Sequence, residues 1–274
     1  MRNIKNEEVK FLKEIGLFDH LSDGVLKIPD HCTSLKIDIG LAGDAPNSAR
    51  WLMSDPHVFV IGIEPLEYHH KHLYELGSPE GTEEVFCHPS WPIVQLKHNA
   101  VLHNREKVCD ISDRFILLKT AINKVDSFGK QKFYVNKVKK GETGSSTLSK
   151  AVSDKRPHLL DKVIDVNICS LGYILDFLPL QGFKYIEHIK TDCEGMDFQV
   201  IQSIGDKIEK ALFVTCEISH VCNPEELLNL PLVRHMLKHR FVPFLANSNG
   251  VNFVKREHYH DVMAGKLKLI YAGM

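Results

Sequence analysis

Carboxylates recur in this chain where apolar runs end. Asp38 stands near the end of "LKIDIG", with Gly40, Ala42, Gly43 and Asp44 in the turn beyond it. Glu64 closes "HVFVIGIE" and is followed by Pro65. Asp192 follows "IEHIKT", with Glu194 and Gly195 next, and Glu217 ends "KALFVTCE". A buried charge is costly unless it is paired or faces a polar ligand. Carboxylates at four strand ends of one sheet therefore imply an electronegative crevice. The plain alternative for any one of them is a helix N-cap or first-turn acid, which is common and stabilising. Asp44, just before "APNSAR", suits that role as well as it suits a ligand.

The spacing narrows the ligand. A glycine-containing turn after one strand, then an acid at the end of the next roughly twenty residues on, is the geometry that receives an adenosine ribose. The turn here reads "GLAGDA", not G-x-G-x-x-G. A pyrophosphate is held by glycine backbone at a helix N-terminus, and Asp44 stands where such a ligand needs neutral or positive surroundings. "GETGSSTLSK" has the wrong spacing for a phosphate-binding G-x-x-x-x-G-K-[ST] loop. Asp38 and Asp44 suit an adenosine that lacks phosphate and carries positive charge. S-adenosylmethionine, with its sulfonium and α-ammonium, meets both conditions.

Methyl transfer from such a cofactor is an in-line displacement with reacting atoms about 3 Å apart. An alcohol acceptor is a poor nucleophile, so a base within hydrogen-bond reach assists it. Asp192 and Glu194 are the first candidates, because neighbouring carboxylates raise one another's pKa; His220, three residues past Glu217, is the third. Glu194 and Gly195 equally suit a turn that only shapes the entry into "MDFQVIQSI". A metal is the competing use: Asp192, Glu194 and Glu217 offer the oxygen ligands that magnesium or calcium takes. Zinc has less support. His69 and His72 in "EYHHKH" share one helical face, but Cys216, His220 and Cys222 lack the paired spacing of a structural zinc site. The reading adopted has no metal.

These residues need a scaffold of alternating strands and helices. Residues 4–18 carry apolar side chains at helical spacing and predict an amphipathic packing helix ending near Gly16. Strands follow in "LKIDIG", "HVFVIGIEP", "DRFILLKTAI", "GKQKFYVN", "VIDVNI", "IEHIKTD" and "KALFVTCEI". Helices are expected in "APNSARWLMS", in "LEYHHKHLYELG" up to Gly77, in "PIVQLKHNAVLH", in "SLGYILDFL", in "GMDFQVIQSIGDKI" and as one helix in "PEELLNLPLVRHMLKHR". Short β segments are expected around "FVPFLANSNGVNFVKR" and "KLKLIYA". Alternating apolar strands and helices mean a doubly wound α/β sheet, mostly parallel and covered on both faces. In such sheets ligands sit beyond the carboxyl ends of the strands, where strand order reverses. One domain over residues 1–274 is expected, with an N-terminal helical extension (1–34), a surface insertion (78–93) and a C-terminal part (223–274) that supplies a helix and the last strands.

With 274 residues, 43% hydrophobic and 25% charged, the chain can bury a substantial core. Its net charge of −1 argues against a protein built to grip nucleic acid; only "KVKK" (137–140) clusters basic residues. Seven cysteines without regular spacing read as reduced thiols rather than a disulfide framework. No run reaches the roughly 18 apolar residues that span a bilayer, and the first residues carry no signal-peptide apolar core. A cytoplasmic protein with no membrane span is the expectation.

In order, "KIDIGLAGDA", "VIGIEP", "AINKVDSFGKQKFYV", "GSSTL" and "IKTDCEGMDFQVIQSI" resemble the motifs of FkbM-type S-adenosylmethionine-dependent methyltransferases, over roughly residues 35–220. The late K-x-D-x-E-G-x-E motif is the most specific of them, and here it ends in Asp197. The first motif reads Gly40-Leu41-Ala42-Gly43 in place of Gly-Ala-Asn. The resemblance implies a Rossmann-like class I methyltransferase sheet of seven strands. It implies transfer to a hydroxyl, often of a sugar or a secondary metabolite.

The expected activity is thus O-methylation of a hydroxyl on a sugar or small metabolite, with a small-molecule or glycan acceptor. S-adenosylmethionine is expected at Asp38, Gly40, Ala42, Gly43, Asp44, Glu64, Pro65, Ala121 and Asp192, and acid–base work at Asp192, Glu194 and His220. Two other classes stay open: an NAD-dependent oxidoreductase with an atypical Rossmann turn, and a non-catalytic module that kept the fold.

Overall fold

A computed structural model of the chain describes residues 4–41, 43, 45–75, 91–104, 106–111, 113–126, 128–137, 146–218, 223–247 and 250–267. Its centre is a seven-stranded sheet. Numbering that sheet alone, the strands are β1 (Ser34–Ile39), β2 (Val58–Ile63), β3 (Phe115–Leu118), β4 (Ile186–Thr191), β5 (Ala211–Glu217), β6 (Phe241–Asn247) and β7 (Gly250–Lys255). They lie in the order β6-β7-β5-β4-β1-β2-β3. Neighbours from β5 to β3 are parallel, and β7 runs antiparallel to both β5 and β6. The order reverses between β1 and β4, so the sheet's switch point lies at the carboxyl ends of those two strands.

β2 is buried at all six positions, as an apolar run covered on both faces must be. β1 breaks that rule at Lys36 and Asp38, both buried, and each finds a countercharge on β4. Lys36 Nζ lies 3.0 Å from Glu187 Oε1, and Lys190 Nζ lies 3.4 Å from Asp38 Oδ1. One face of the sheet packs on α1 (Asn6–Glu14) through Phe11 and Leu12, together with later helices that contribute Ile174, Ile201 and Met236. The other packs on α2 (Pro46–Ser54) through Trp51 and Leu52, and on α3 (Glu67–Glu75) through Leu73. α1 stops where expected, at Gly16 with φ +80°.

Three expectations need correction. Residues 92–103 are not helical: Ile93–Gln95 pairs antiparallel with Ala100–His103, and Glu106–Asp110 adds a third strand. The β-branched Ile93, Val94 and Val101 suit strands, and Asn99, at φ +45°, makes the turn that helical spacing concealed. The run "DRFILLKTAI" splits, because Ala121–Ile122 leaves the main sheet and pairs with Leu160–Cys169. The expected single C-terminal helix is two, Pro224–Asn229 and Pro231–Lys238; Leu230, extended before Pro231, interrupts it. Gly77, the 78–90 part of the insertion and residues 268–272 of the expected final β segment lie outside the described residues.

A second sheet leans over the carboxyl end of the first. Phe128–Asn136 pairs with Leu160–Cys169 along nearly its whole length. Its inner face supplies Phe133, Val135, Val166 and Ile168 to an apolar cluster shared with Leu66, Ala121, Leu148 and Met196. The Thr120 hydroxyl donates to the Asn167 carbonyl at 3.0 Å and ties the two sheets together. Among the described residues no helix is long and apolar enough to cross a membrane.

Candidate functional site

The site begins with the backbone of Gly40. Its N–H donates to the Ile63 carbonyl at 3.0 Å, and the Asp192 N–H donates to the Ile39 carbonyl at 3.0 Å, so three strand ends are laced together. Gly40 has φ +71°, and a β-carbon there would stand 2.0 Å from the Asp192 carbonyl oxygen. Only glycine fits. Leu41 then turns back into the core, where its side chain fills the space a β-carbon on Gly62 would take. Ala45, in the left-handed region at φ +47°, sets the entry to α2.

Asp38 lies beneath this turn. It is fully buried, and its Oδ2 accepts from the Ser48 N–H at 3.1 Å and the Ser48 hydroxyl at 2.7 Å. That satisfies one orphan backbone donor in the first turn of α2. Lys190 holds the other side: its Nζ is 3.4 Å from Asp38 Oδ1 and 3.5 Å from Asp192 Oδ2, and donates to the Gly40 carbonyl at 3.1 Å. A buried cation is thus shared between the two acids on either side of the switch point and pins the glycine turn.

Glu64 ends β2 and is 4% exposed. Its Oε1 accepts from the Leu66 N–H at 3.0 Å and lies 3.1 Å from His69 Nδ1, at ion-pair distance. His70 Nε2 donates to the Glu64 carbonyl at 2.7 Å, so the first turns of α3 are fastened to the end of β2. Burial alone would raise the Glu64 pKa. The His69 imidazole, the Leu66 amide and the His70 charge outweigh it and hold the carboxyl below its ordinary value.

Acids gather at the end of β4 and β5. Carboxylate oxygens of Asp192, Glu194 and Glu217 lie within 4.8 Å of one another. Glu194 adopts φ +49° and its side chain is 3.9 Å from Arg156. Behind them Asp197, opening the helix after β4, accepts from the Thr191 hydroxyl at 2.5 Å and from the N–H groups of Cys193 and Glu217 at 3.4 and 3.3 Å. Burial, with the Asp192 charge adding to it, lifts the Asp197 pKa to about 6 against those hydrogen bonds. Burial, then the charges of Asp192, Glu194 and Asp197, pushes Glu217 up to about 8.

Gly40, Glu64, Asp192 and Glu194 border a cleft that encloses about 690 Å³, open solvent included. Gly40, Glu64 and Pro65 form one side, Asp192, Cys193 and Glu194 another. Thr120, Ala121 and Ile122 line the cleft as well, with Phe133 and Leu148 of the second sheet region. Of the expected site residues, Gly40, Glu64, Pro65, Ala121, Asp192 and Glu194 come together on the cleft walls. Asp38 supports the turn from behind and Gly43 is buried within it. Ala42, Asp44 and His220 lie outside the described residues, as does Cys222. Free thiols stand at Cys32, Cys109, Cys169, Cys193 and Cys216.

Lys190, His69 and Asp197 were not expected at the site. Lys190 carries a signal in retrospect: it is two residues before Asp192, so both side chains fall on one face of the strand. His69 sits five residues after Glu64, where the first turns of a helix following a two-residue link can fold back. No protein-family model, curated protein or solved structure matches the chain.

Proposed function

We propose that the chain is an S-adenosylmethionine-dependent methyltransferase acting on a hydroxyl of a sugar or small metabolite. One observation carries this reading: among the described residues the cleft wall offers three carboxylates, Glu64, Asp192 and Glu194, and no lysine or arginine. A dinucleotide pyrophosphate needs donors and positive charge at the glycine turn. Acidic walls beside a glycine turn suit an adenosine ligand with a cationic end.

The residues present fit that group. Glu64 would accept from ribose hydroxyls, Gly40 would allow close backbone approach, and the apolar Leu66, Ala121 and Phe133 would enclose the base. Asp192 and Glu194 would face the cationic end. When bound, the cofactor supplies an electrophilic methyl group. The chain's own work is orientation and proton handling: Asp192, half-exposed at the mouth, is the group placed to accept the acceptor hydroxyl's proton. The resemblance to FkbM-type methyltransferases supports the same reading, and the seven-stranded, mostly parallel sheet is the scaffold that resemblance implies.

Calorimetric titration with S-adenosylmethionine and with NAD tests it. Saturable binding of the first alone is expected; binding of neither overturns the enzyme reading, and binding of NAD alone replaces it. Glu64→Ala is expected to weaken binding by about 1–3 kcal/mol, for one lost charge-assisted partner. A labelled-methyl screen against saccharides, small metabolites and RNA then identifies the acceptor, and a cofactor-binding chain that labels none of them is a binding module.

A further inference from the structure

The Glu64 carboxylate is held asymmetrically. Oε1 takes the Leu66 N–H as donor and has the His69 ring 3.1 Å away at Nδ1, while among the described residues no group donates to Oε2. Both side chains are nearly sealed, at 3% for His69 and 6% for Glu64, and both border the cleft. The imidazole itself is braced: the Tyr68 ring meets it edge-on with centroids 4.2 Å apart. The neighbouring His70 fastens the same stretch of α3 to the Glu64 carbonyl. A carboxylate gripped through one oxygen cannot rotate to offer the other freely, so its reach into the cleft is set by the grip.

We propose that His69 is a positioning residue that fixes the Glu64 carboxylate so that Oε2 meets a hydroxyl of a ribose-bearing ligand, and thereby sets selectivity for ribose over deoxyribose. This rests on the reading of the cleft as an adenosine site. The physical basis is preorganisation: a hydrogen-bond acceptor held in place beforehand discriminates sharply against a ligand that lacks the matching donor. A carboxylate free to turn would find water or another partner when the hydroxyl is missing, and the penalty would shrink.

The test compares binding of S-adenosylhomocysteine with binding of its 2′-deoxy and 3′-deoxy analogues, by calorimetry, in the full chain. The wild-type protein is expected to prefer the ribose ligand over at least one deoxy analogue by roughly 10- to 100-fold. His69→Leu removes the grip and should bring that ratio to within about threefold, while affinity for the deoxy analogue changes little. His69→Gln keeps a polar side chain beside Oε1 and should retain most of the preference. Where the leucine variant does not fold, by circular dichroism, the same ratio is read on His69→Ala. An unchanged ratio in the folded leucine or alanine variant overturns the proposal, as does an equal loss of affinity for all three ligands, which is what a merely structural histidine would give. If the wild-type chain binds the ribose ligand and its analogues equally, His69 has no such role although the adenosine site stands. If it binds none of them, the adenosine reading falls first and this proposal with it.

Discussion

A β-carbon on Gly40 would stand 2.0 Å from the carbonyl oxygen of Asp192 and 2.9 Å from its carbonyl carbon. The two strand ends at the switch point are therefore in backbone contact, and the contact depends on a residue without a side chain. Gly40→Ala should strain the left-handed φ by about 1–2 kcal/mol and add overpacking of about 1–3 kcal/mol, since the obstacle is main chain that cannot swing aside. Urea denaturation of the variant should show the sum as a lower midpoint. A variant as stable as the wild type would mean that the β1 and β4 ends are not closed on one another.

Lys190 makes the second prediction. Asp38 is fully buried, and removing Lys190, which pairs with it, leaves a charge that water cannot reach. Breaking such a pair costs about 3–5 kcal/mol, and the two hydrogen bonds from Ser48 place Lys190→Met near the lower end. Asp38→Asn in the Lys190→Met background should then cost less than in the wild type, so the two changes should be non-additive by at least about 1 kcal/mol in a double-mutant cycle. Additive losses would separate the two residues.

What the sequence disclosed and what it hid follow from the range of the physics involved. The strand β2 and the acid that ends it were legible because burial on both faces writes an unbroken apolar run, and Glu64 stands out against it. The Lys190–Asp38 pair was hidden because it depends on strand adjacency. Lys190 is aligned with Asp38 only because β4 lies beside β1 in the sheet, and no local pattern states which strands are neighbours. The hairpin around Asn99 was misread for the opposite reason: a four-residue turn decides it, and apolar spacing over twelve residues mimicked a helix.

The raised acids give a pH signature. Glu217 shifts from 4.5 to about 8 and Asp197 from 3.8 to about 6. Both bind protons more tightly in the native state than in the unfolded one, so each contributes stability that is full below its unfolded value and is lost as pH rises through its native value. Between pH 6 and 8 the loss falls mainly to Glu217. Buried neutral histidines such as His188, whose pKa is lowered by burial and by Lys36 and Lys190, act in the opposite sense at lower pH, but they do so in wild type and variant alike. The difference in unfolding free energy between Glu217→Gln and wild type should therefore shift in favour of the variant as pH rises from 6 to 8. Parallel pH profiles for the two proteins would remove Glu217 from the coupled acid cluster.

Asp192 separates chemistry from binding. It lies at the mouth of the cleft, about half-exposed, while the acids behind it are enclosed. If it takes the acceptor's proton, Asp192→Asn should lower turnover by roughly 100-fold or more, within the usual range for loss of a general base, and lower affinity for S-adenosylmethionine by much less. The substitution also removes a charge that pushes Glu217 upward, so the pH dependence of stability between 6 and 8 should flatten in the same variant. Turnover and affinity falling together would assign Asp192 to holding the cofactor. A flattened stability profile with turnover intact would leave it an electrostatic neighbour of Glu217, and the base would then have to be sought at Glu194.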